Sequence, residues 1–215
     1  MFVRKHNFLS YLSIPYTSLG EVKKPLRGYY TSNEQIFPLK IEKSQNTKNL
    51  VIHTGGDDVV TKFLKEQAVF ITPYEELLRC ADQSSLRILM SPTKLLFDAS
   101  CFDRVFCFFC FFYLPKYQAI FENANKVLKR WGILHIWDVE IPKKFGNYSF
   151  FVVPTLVDTG IELVKMVHIT RWKREQDILY LKKIARETGF KVLEEQKFDK
   201  VFYLKLTKIA DLKKQ

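Results

Sequence analysis

An α/β fold organised on a mostly parallel sheet is what this 215-residue sequence predicts, and three stretches predict it. Residues 101–139 read as strand, helix, strand with almost no slack. Residues 49–64 read as strand, glycine turn, helix, and residues 172–208 as a helix followed by two strands. Two parallel strands joined by a helix require a right-handed crossover, the building unit of an α/β sheet. An apolar content of 47% and an aromatic content of 15% are enough to fill a core. The length suits one domain with small additions.

Residues 1–48 mix tyrosines with Pro15, Gly20, Pro25, Gly28 and Pro38. That punctuation predicts short helices and irregular segments, with a strand near 37–41. The short apolar run NLVIH at 49–53 ends in Thr54, Gly55, Gly56, Asp57 and Asp58. Val59, Val60, Phe63 and Leu64 then repeat at helical spacing. Gly55 and Gly56 supply a turn, and either aspartate can cap the helix. AVFIT at 68–72 predicts a strand, YEELLRCA at 74–81 a helix, and LRILM at 86–90 a strand before Ser91, Pro92 and Thr93.

The run at 105–112 is apolar throughout, as in a strand buried on both faces. Pro115 suits the first turn of a helix, where its missing N–H is not needed. Ile120, Ala124, Val127 and Leu128 form the apolar side of that helix, and Gly132 ends it before a strand at 133–139. Residues 148–157 and 161–170 flank Asp158, Thr159 and Gly160, a hairpin signal. An amphipathic helix over 172–188 carries Ile178, Leu181, Ile184 and Ala185 and is closed by Gly189. GFKVLEEQKF and KVFYLKLTKI supply the last two strands.

Charge is unevenly placed. Of the net +11, residues 1–48 hold 8 basic and 3 acidic side chains, residues 171–215 hold 13 and 7, and the middle balances at 13 and 13. Basic ends around a neutral core are either a face for a polyanion such as RNA or solvated lysines. The N-terminal MFVRKHNFLSYLSI lacks a continuous apolar region and a small-residue cleavage site. No signal peptide is expected, and no run reaches the roughly 18 apolar residues of a spanning helix. The location expected is cytoplasmic, with no membrane partner. Cys107 and Cys110 have the spacing of a metal or redox pair, but no second Cys/His pair completes four ligands. They read as small buried hydrophobes, and no metal is expected.

FDRVFCFFCFFYL followed by ANKVLKRWGILHIWDVEIP resembles the second half of a class I S-adenosylmethionine-dependent methyltransferase. In that family a strand with an Asp-aliphatic pattern, here Asp103, Arg104 and Val105, leads to a helix ending in VLKPGG, here residues 127–132. The glycine turn about fifty residues upstream and the ETGFKV segment agree with it, so the resemblance spans 49–208. It implies a seven-stranded Rossmann-like methyltransferase sheet, mostly parallel with an antiparallel C-terminal strand. To this it adds a hairpin insertion at 141–170, an N-terminal extension or lid at 1–48, and a tail at 209–215.

The resemblance also implies S-adenosylmethionine as cofactor, held near Thr54, Gly55, Gly56, Asp57, Thr72, Ser91, Pro92 and Phe108. Phe109, Phe112, Tyr29 and Tyr30 are the residues it offers to an acceptor, with core packing as the alternative for each. Three positions that are acidic in the family hold Ile52, Thr72 and Ser91. The cofactor pocket is therefore expected to be atypical, with Asp57 or Asp58 near the sulfonium. The apolar residues 108–110 stand where many amino-group nucleic-acid methyltransferases carry an Asn/Asp-Pro-Pro-Tyr/Phe signature. Three functions stay open: methylation of a small-molecule substrate, a degenerate fold serving a protein partner, and RNA-directed methylation.

Overall fold

The computed structural model describes residues 28–42, 44, 46–56 and 58–211. Asp57, most of the N-terminal extension with Tyr11 and Tyr16, and the last four residues lie outside the described residues.

The strands are β1 (Tyr29–Thr31), β2 (Gln35–Pro38), β3 (Asn49–Ile52), β4 (Ala68–Thr72), β5 (Leu86–Leu89), β6 (Phe102–Phe108), β7 (Leu128–Val139), β8 (Phe150–Asp158), β9 (Leu163–Arg171), β10 (Phe190–Phe198) and β11 (Val201–Lys208). The helices are α1 (Val59–Leu64), α2 (Glu75–Cys80), α3 (Cys110–Tyr113), α4 (Tyr117–Val127) and α5 (Ile178–Glu187).

Seven strands form one sheet in the order β10-β11-β7-β6-β3-β4-β5. From β7 to β5 all neighbours are parallel, and β11 runs antiparallel to both β7 and β10. This is the sheet the sequence predicts. Alternation divides its side chains between two cores. Leu50, Ile52, Val105, Cys107, Leu134, Ile136, Leu204 and Leu206 face α4 and α5. Val51, Phe70, Phe106, Phe108, Trp137, Val139 and Tyr203 face α1 and a second, smaller sheet.

In that second sheet β8 pairs along its whole length with β9, as the hairpin signal predicts. On its other edge β8 takes β1 at residues 150–152 and β2 at residues 155–158. Pro154 falls in the gap between the two, where a missing N–H costs no ladder bond.

Four elements differ from the sequence reading. The helix read over 172–188 begins only at Ile178, after β9 has run on to Arg171, and Pro115 lies before the Lys116 N-cap of α4 rather than in its first turn. The apolar run at 105–112 is not all strand: β6 stops at Phe108, Phe109 takes a left-handed conformation (φ 51), and residues 110–113 turn into α3. Apolar composition alone does not separate a buried strand from a buried turn. The deciding residue, Asp138, is distant in sequence and is described below. Gly132 likewise does not separate helix from strand. β7 already begins at Leu128, and its register on β6 slips between Phe102 and Arg104. At this bulge a Cβ on Gly132 would lie 2.8 Å from the Lys129 carbonyl, so only glycine fits there.

Candidate functional site

The chain runs from β3 outward through β4 to β5, then returns to place β6 and β7 on the other side of β3. The reversal between β3 and β6 is a topological switch point, and in open α/β sheets the crevice at the carboxyl ends of the strands there is the ligand site. Two segments border it. One is the turn after β3, residues 53–56 with Asp58, and the other is Phe109 with α3 after β6.

Hydrogen bonds tie the two segments together. The Thr54 hydroxyl donates to the Cys110 carbonyl (3.0 Å), and the Cys110 thiol donates to the Ile52 carbonyl (2.8 Å). Burial pushes that thiol well above its ordinary range, so it packs and donates rather than reacting. Within the turn, His53 Nε2 lies 3.0 Å from the Gly56 carbonyl oxygen. Gly56 has φ +80, a conformation that favours glycine.

Aromatic side chains cover the glycines. A Cβ on Gly55 would lie 2.7 Å from Cγ of Tyr113, and one on Gly56 would lie 3.0 Å from Cε1 of His168. The Tyr113 hydroxyl is 3.0 Å from His168 Nδ1. The His168 ring lies flat on Phe109, with centroids 3.8 Å apart and planes at 6°. His168 comes from β9, so the hairpin reaches into the switch point. Its pKa is lowered to about 3 by burial and by the neighbouring His53, which makes it a neutral imidazole. Its Nε2 is buried with no hydrogen-bond partner among the described residues.

Asp58 caps α1, accepting from the Thr61 amide at 2.9 Å through Oδ1. Its Oδ2 is buried and has no partner among the described residues. A buried carboxylate oxygen left bare beside a glycine turn is costly unless something positive meets it.

α3 is held from both ends. Asp138, fully buried at the end of β7, accepts from the amides of Phe111 (2.8 Å), Phe112 (3.3 Å) and Val139 (2.9 Å), and from Gln176 Nε2 (2.7 Å). Arg174 Nη2 donates to the carbonyls of Phe111 (2.8 Å) and Phe112 (2.6 Å). Burial raises the Asp138 pKa to about 6, against the lowering effect of the hydrogen bonds it accepts.

The other predicted residues fall as follows. Thr72 ends β4 and is fully buried, its hydroxyl accepting from the Tyr74 amide at 3.3 Å. Ser91 is exposed after β5, its hydroxyl 2.9 Å from that of Thr93, and Pro92 beside it is buried. Strand pairing brings Thr72 and Ser91 into line with Thr54, Gly55, Gly56 and Phe108 along the carboxyl edge. Phe108 and Phe112 are buried beside His168. Tyr29 and Tyr30 stand apart: Tyr29 stacks on Phe150, and Tyr30 packs among Phe145, Tyr148, Phe151 and Trp172. Tyr113, His168, Asp138, Arg174 and Gln176 were missed by the sequence reading. One signal existed, a carboxylate closing the apolar run at 133–139.

This architecture is the fold of class I S-adenosylmethionine-dependent methyltransferases. A family model described as a methyltransferase domain matches residues 55–136, which run from the glycine turn to the middle of β7. That match covers less than half of the chain, and what it and the architecture give together is a likeness to this superfamily in fold. A methyltransferase described as S-adenosylmethionine-dependent from Methanosarcina mazei is similar at TM-score 0.56 and 15% identity, over 78% of this chain and 95% of that one. One from Aquifex aeolicus is similar at TM-score 0.52 and 13% identity, over 75% and 82%. The 4+2 cyclase SpnF is similar at TM-score 0.55 and 13% identity, over 76% of each chain. At such identities what is shared is the fold. No curated protein matches the sequence.

Proposed function

We propose that this protein is a methyltransferase that takes S-adenosylmethionine at the switch point between β3 and β6 and methylates a small-molecule acceptor. The observation that carries the reading is Asp58 Oδ2, a buried carboxylate oxygen with no partner among the described residues, directly after the glycine turn. The cofactor carries a positive sulfonium and a positive amino group, and either would satisfy that oxygen through a charge-assisted contact. The turn at Thr54, Gly55 and Gly56 would form the floor. Thr72, Ser91, Pro92 and Phe108 would border it along the carboxyl edge. Thr72 and Ser91 would offer neutral hydrogen bonds where the superfamily commonly has carboxylates, which makes Asp58 the dominant electrostatic contribution.

The residues fit the cofactor in charge and in place, with one obstruction, the Tyr113 ring on Gly55. S-adenosylmethionine supplies an activated methyl group, so the tasks left to the protein are binding, alignment and exclusion of water. Phe109 and Phe112, both fully buried beside the turn, would give the acceptor side an apolar wall once the rings that cover them are displaced. That wall favours a small, partly apolar acceptor over a nucleobase presented on an RNA strand, and the described site adds no residue to the RNA or protein-partner readings.

The test is calorimetric titration with S-adenosylmethionine and S-adenosylhomocysteine against the protein and its Asp58→Asn variant. Asn caps helices as well as Asp does, so the substitution removes charge and leaves α1 in place. Binding that weakens about tenfold for S-adenosylmethionine in the variant, about 1.4 kcal/mol, supports the reading. Absence of binding up to millimolar cofactor refutes it.

A further inference from the structure

Resting on the cofactor reading above, we infer that Tyr113 is a built-in gate, and that its ring and the cofactor compete for the face of the glycine turn. A glycine turn serves a ligand by letting it approach the backbone where a side chain would stand. At Gly55 that space is already filled, with three Tyr113 ring atoms between 2.7 and 2.9 Å of the position a Cβ would take. The second glycine is covered by His168 and by the Tyr113 hydroxyl. The two covering groups are joined through the Tyr113 hydroxyl and His168 Nδ1 at 3.0 Å. The glycines thus accommodate the chain's own rings, and a cofactor reaching the backbone of Gly55 must displace one of them.

Tyr113 is the ring able to leave. His168 is fixed by its place in the β8–β9 pairing, opposite Val153, and by its flat contact with Phe109. Tyr113 is the last residue of α3, beyond the two positions whose amides and carbonyls Asp138 and Arg174 hold. The clamp keeps the backbone of α3 in place while the Tyr113 side chain rotates about its own Cα–Cβ bond. The contacts that hold the ring in include an edge-to-face contact with Phe112 and a hydrogen bond to a neutral imidazole, the latter by itself a modest tether. A binding-competent state that is only fractionally populated lowers the apparent affinity by that fraction. The gate therefore sets a weak resting affinity, and a second ligand that holds the ring out would raise it.

The experiment is titration of the full chain with S-adenosylhomocysteine, comparing the unmodified protein with Tyr113→Phe and Tyr113→Ala, each checked for cooperative unfolding. The gate predicts tightening in graded order: about threefold for Tyr113→Phe, which keeps the ring and loses the hydroxyl, and about tenfold or more for Tyr113→Ala. Should Tyr113→Ala fail to fold, Tyr113→Phe carries the test alone, since it keeps the packing volume. Affinity unchanged or weakened in the folded variants would overturn the gate and leave the cofactor reading standing. No binding by any of the three proteins up to millimolar ligand would overturn both.

Discussion

A methyl group at position 55 would come within 2.7 Å of the Tyr113 ring, and this contact makes a stability prediction independent of any ligand. Gly55→Ala is expected to cost about 2 kcal/mol through overpacking. In a Tyr113→Ala background most of that cost should vanish, so the double-mutant cycle measured by urea unfolding should show a coupling of about 1 kcal/mol or more. Additive effects would contradict the packing described. His135 and His168 make a second prediction. Burial lowers both to about 3, helped by Lys205 and Arg104 at His135 and by His53 at His168. Their unfolded values lie near 6.5, so the unfolded chain binds their protons first. Stability from these two residues is full above pH 6.5 and is lost as pH falls toward 3. Asp138 works the other way: with a folded value of about 6, its contribution is full below its ordinary value of 3.8 and lost as pH rises through 6. Two histidines outweigh one aspartate. The melting temperature should therefore fall steadily from pH 7 to pH 4.5, and less steeply in His168→Gln. A flat profile would contradict the burial of the histidines.

The element on which the site turns is α3, one turn of helix too short to hold itself and held instead by Asp138 and Arg174. Helix ends leave amides and carbonyls without partners; here a carboxylate from β7 takes the amides and a guanidinium from the segment before α5 takes the carbonyls. The same two residues are linked through Gln176 and Tyr117, since Gln176 donates to Asp138 at 2.7 Å and accepts from Tyr117 at 3.0 Å. Asp138→Asn would turn an amide donor toward backbone donors that need an acceptor. It is expected to cost about 3 kcal/mol, read as a lower denaturation midpoint at unchanged slope. Arg174→Met, which keeps the stem and loses the charged bonds, should cost less. An Asp138→Asn midpoint equal to that of the unmodified protein would remove the clamp from the account.

At the scale of the whole molecule, the central strands were legible in the sequence because each is a short apolar run bounded by a turn or a helix, while the seven-stranded, mostly parallel sheet was what the family resemblance implied. The glycine turn was legible for the same reason: Gly55 and Gly56 sit between a strand and a helix. What was not legible is long-range. Phe109 reads as one more residue of an apolar strand, and only the Asp138 carboxylate arriving from β7 makes the chain turn there. Nothing near Tyr113 or His168 in sequence brings them together; they meet because the hairpin packs on the same sheet face as the glycine turn. Thr72 and Ser91, read as cofactor neighbours, stand at the end of β4 and just after β5, with their hydroxyls engaged with Tyr74 and Thr93. Tyr29 and Tyr30, read as pocket or packing residues, pack on the small sheet.

The central claim is that the cofactor lies at the switch point between β3 and β6. Ultraviolet cross-linking of radiolabelled S-adenosylmethionine, followed by peptide mapping, addresses it most directly, because it reports a place as well as an affinity. The account predicts label in the peptides holding residues 53–58 and 108–113, displaced by excess S-adenosylhomocysteine and diminished in Asp58→Asn. Specific label confined to peptides elsewhere, or no label that S-adenosylhomocysteine can displace, would contradict it.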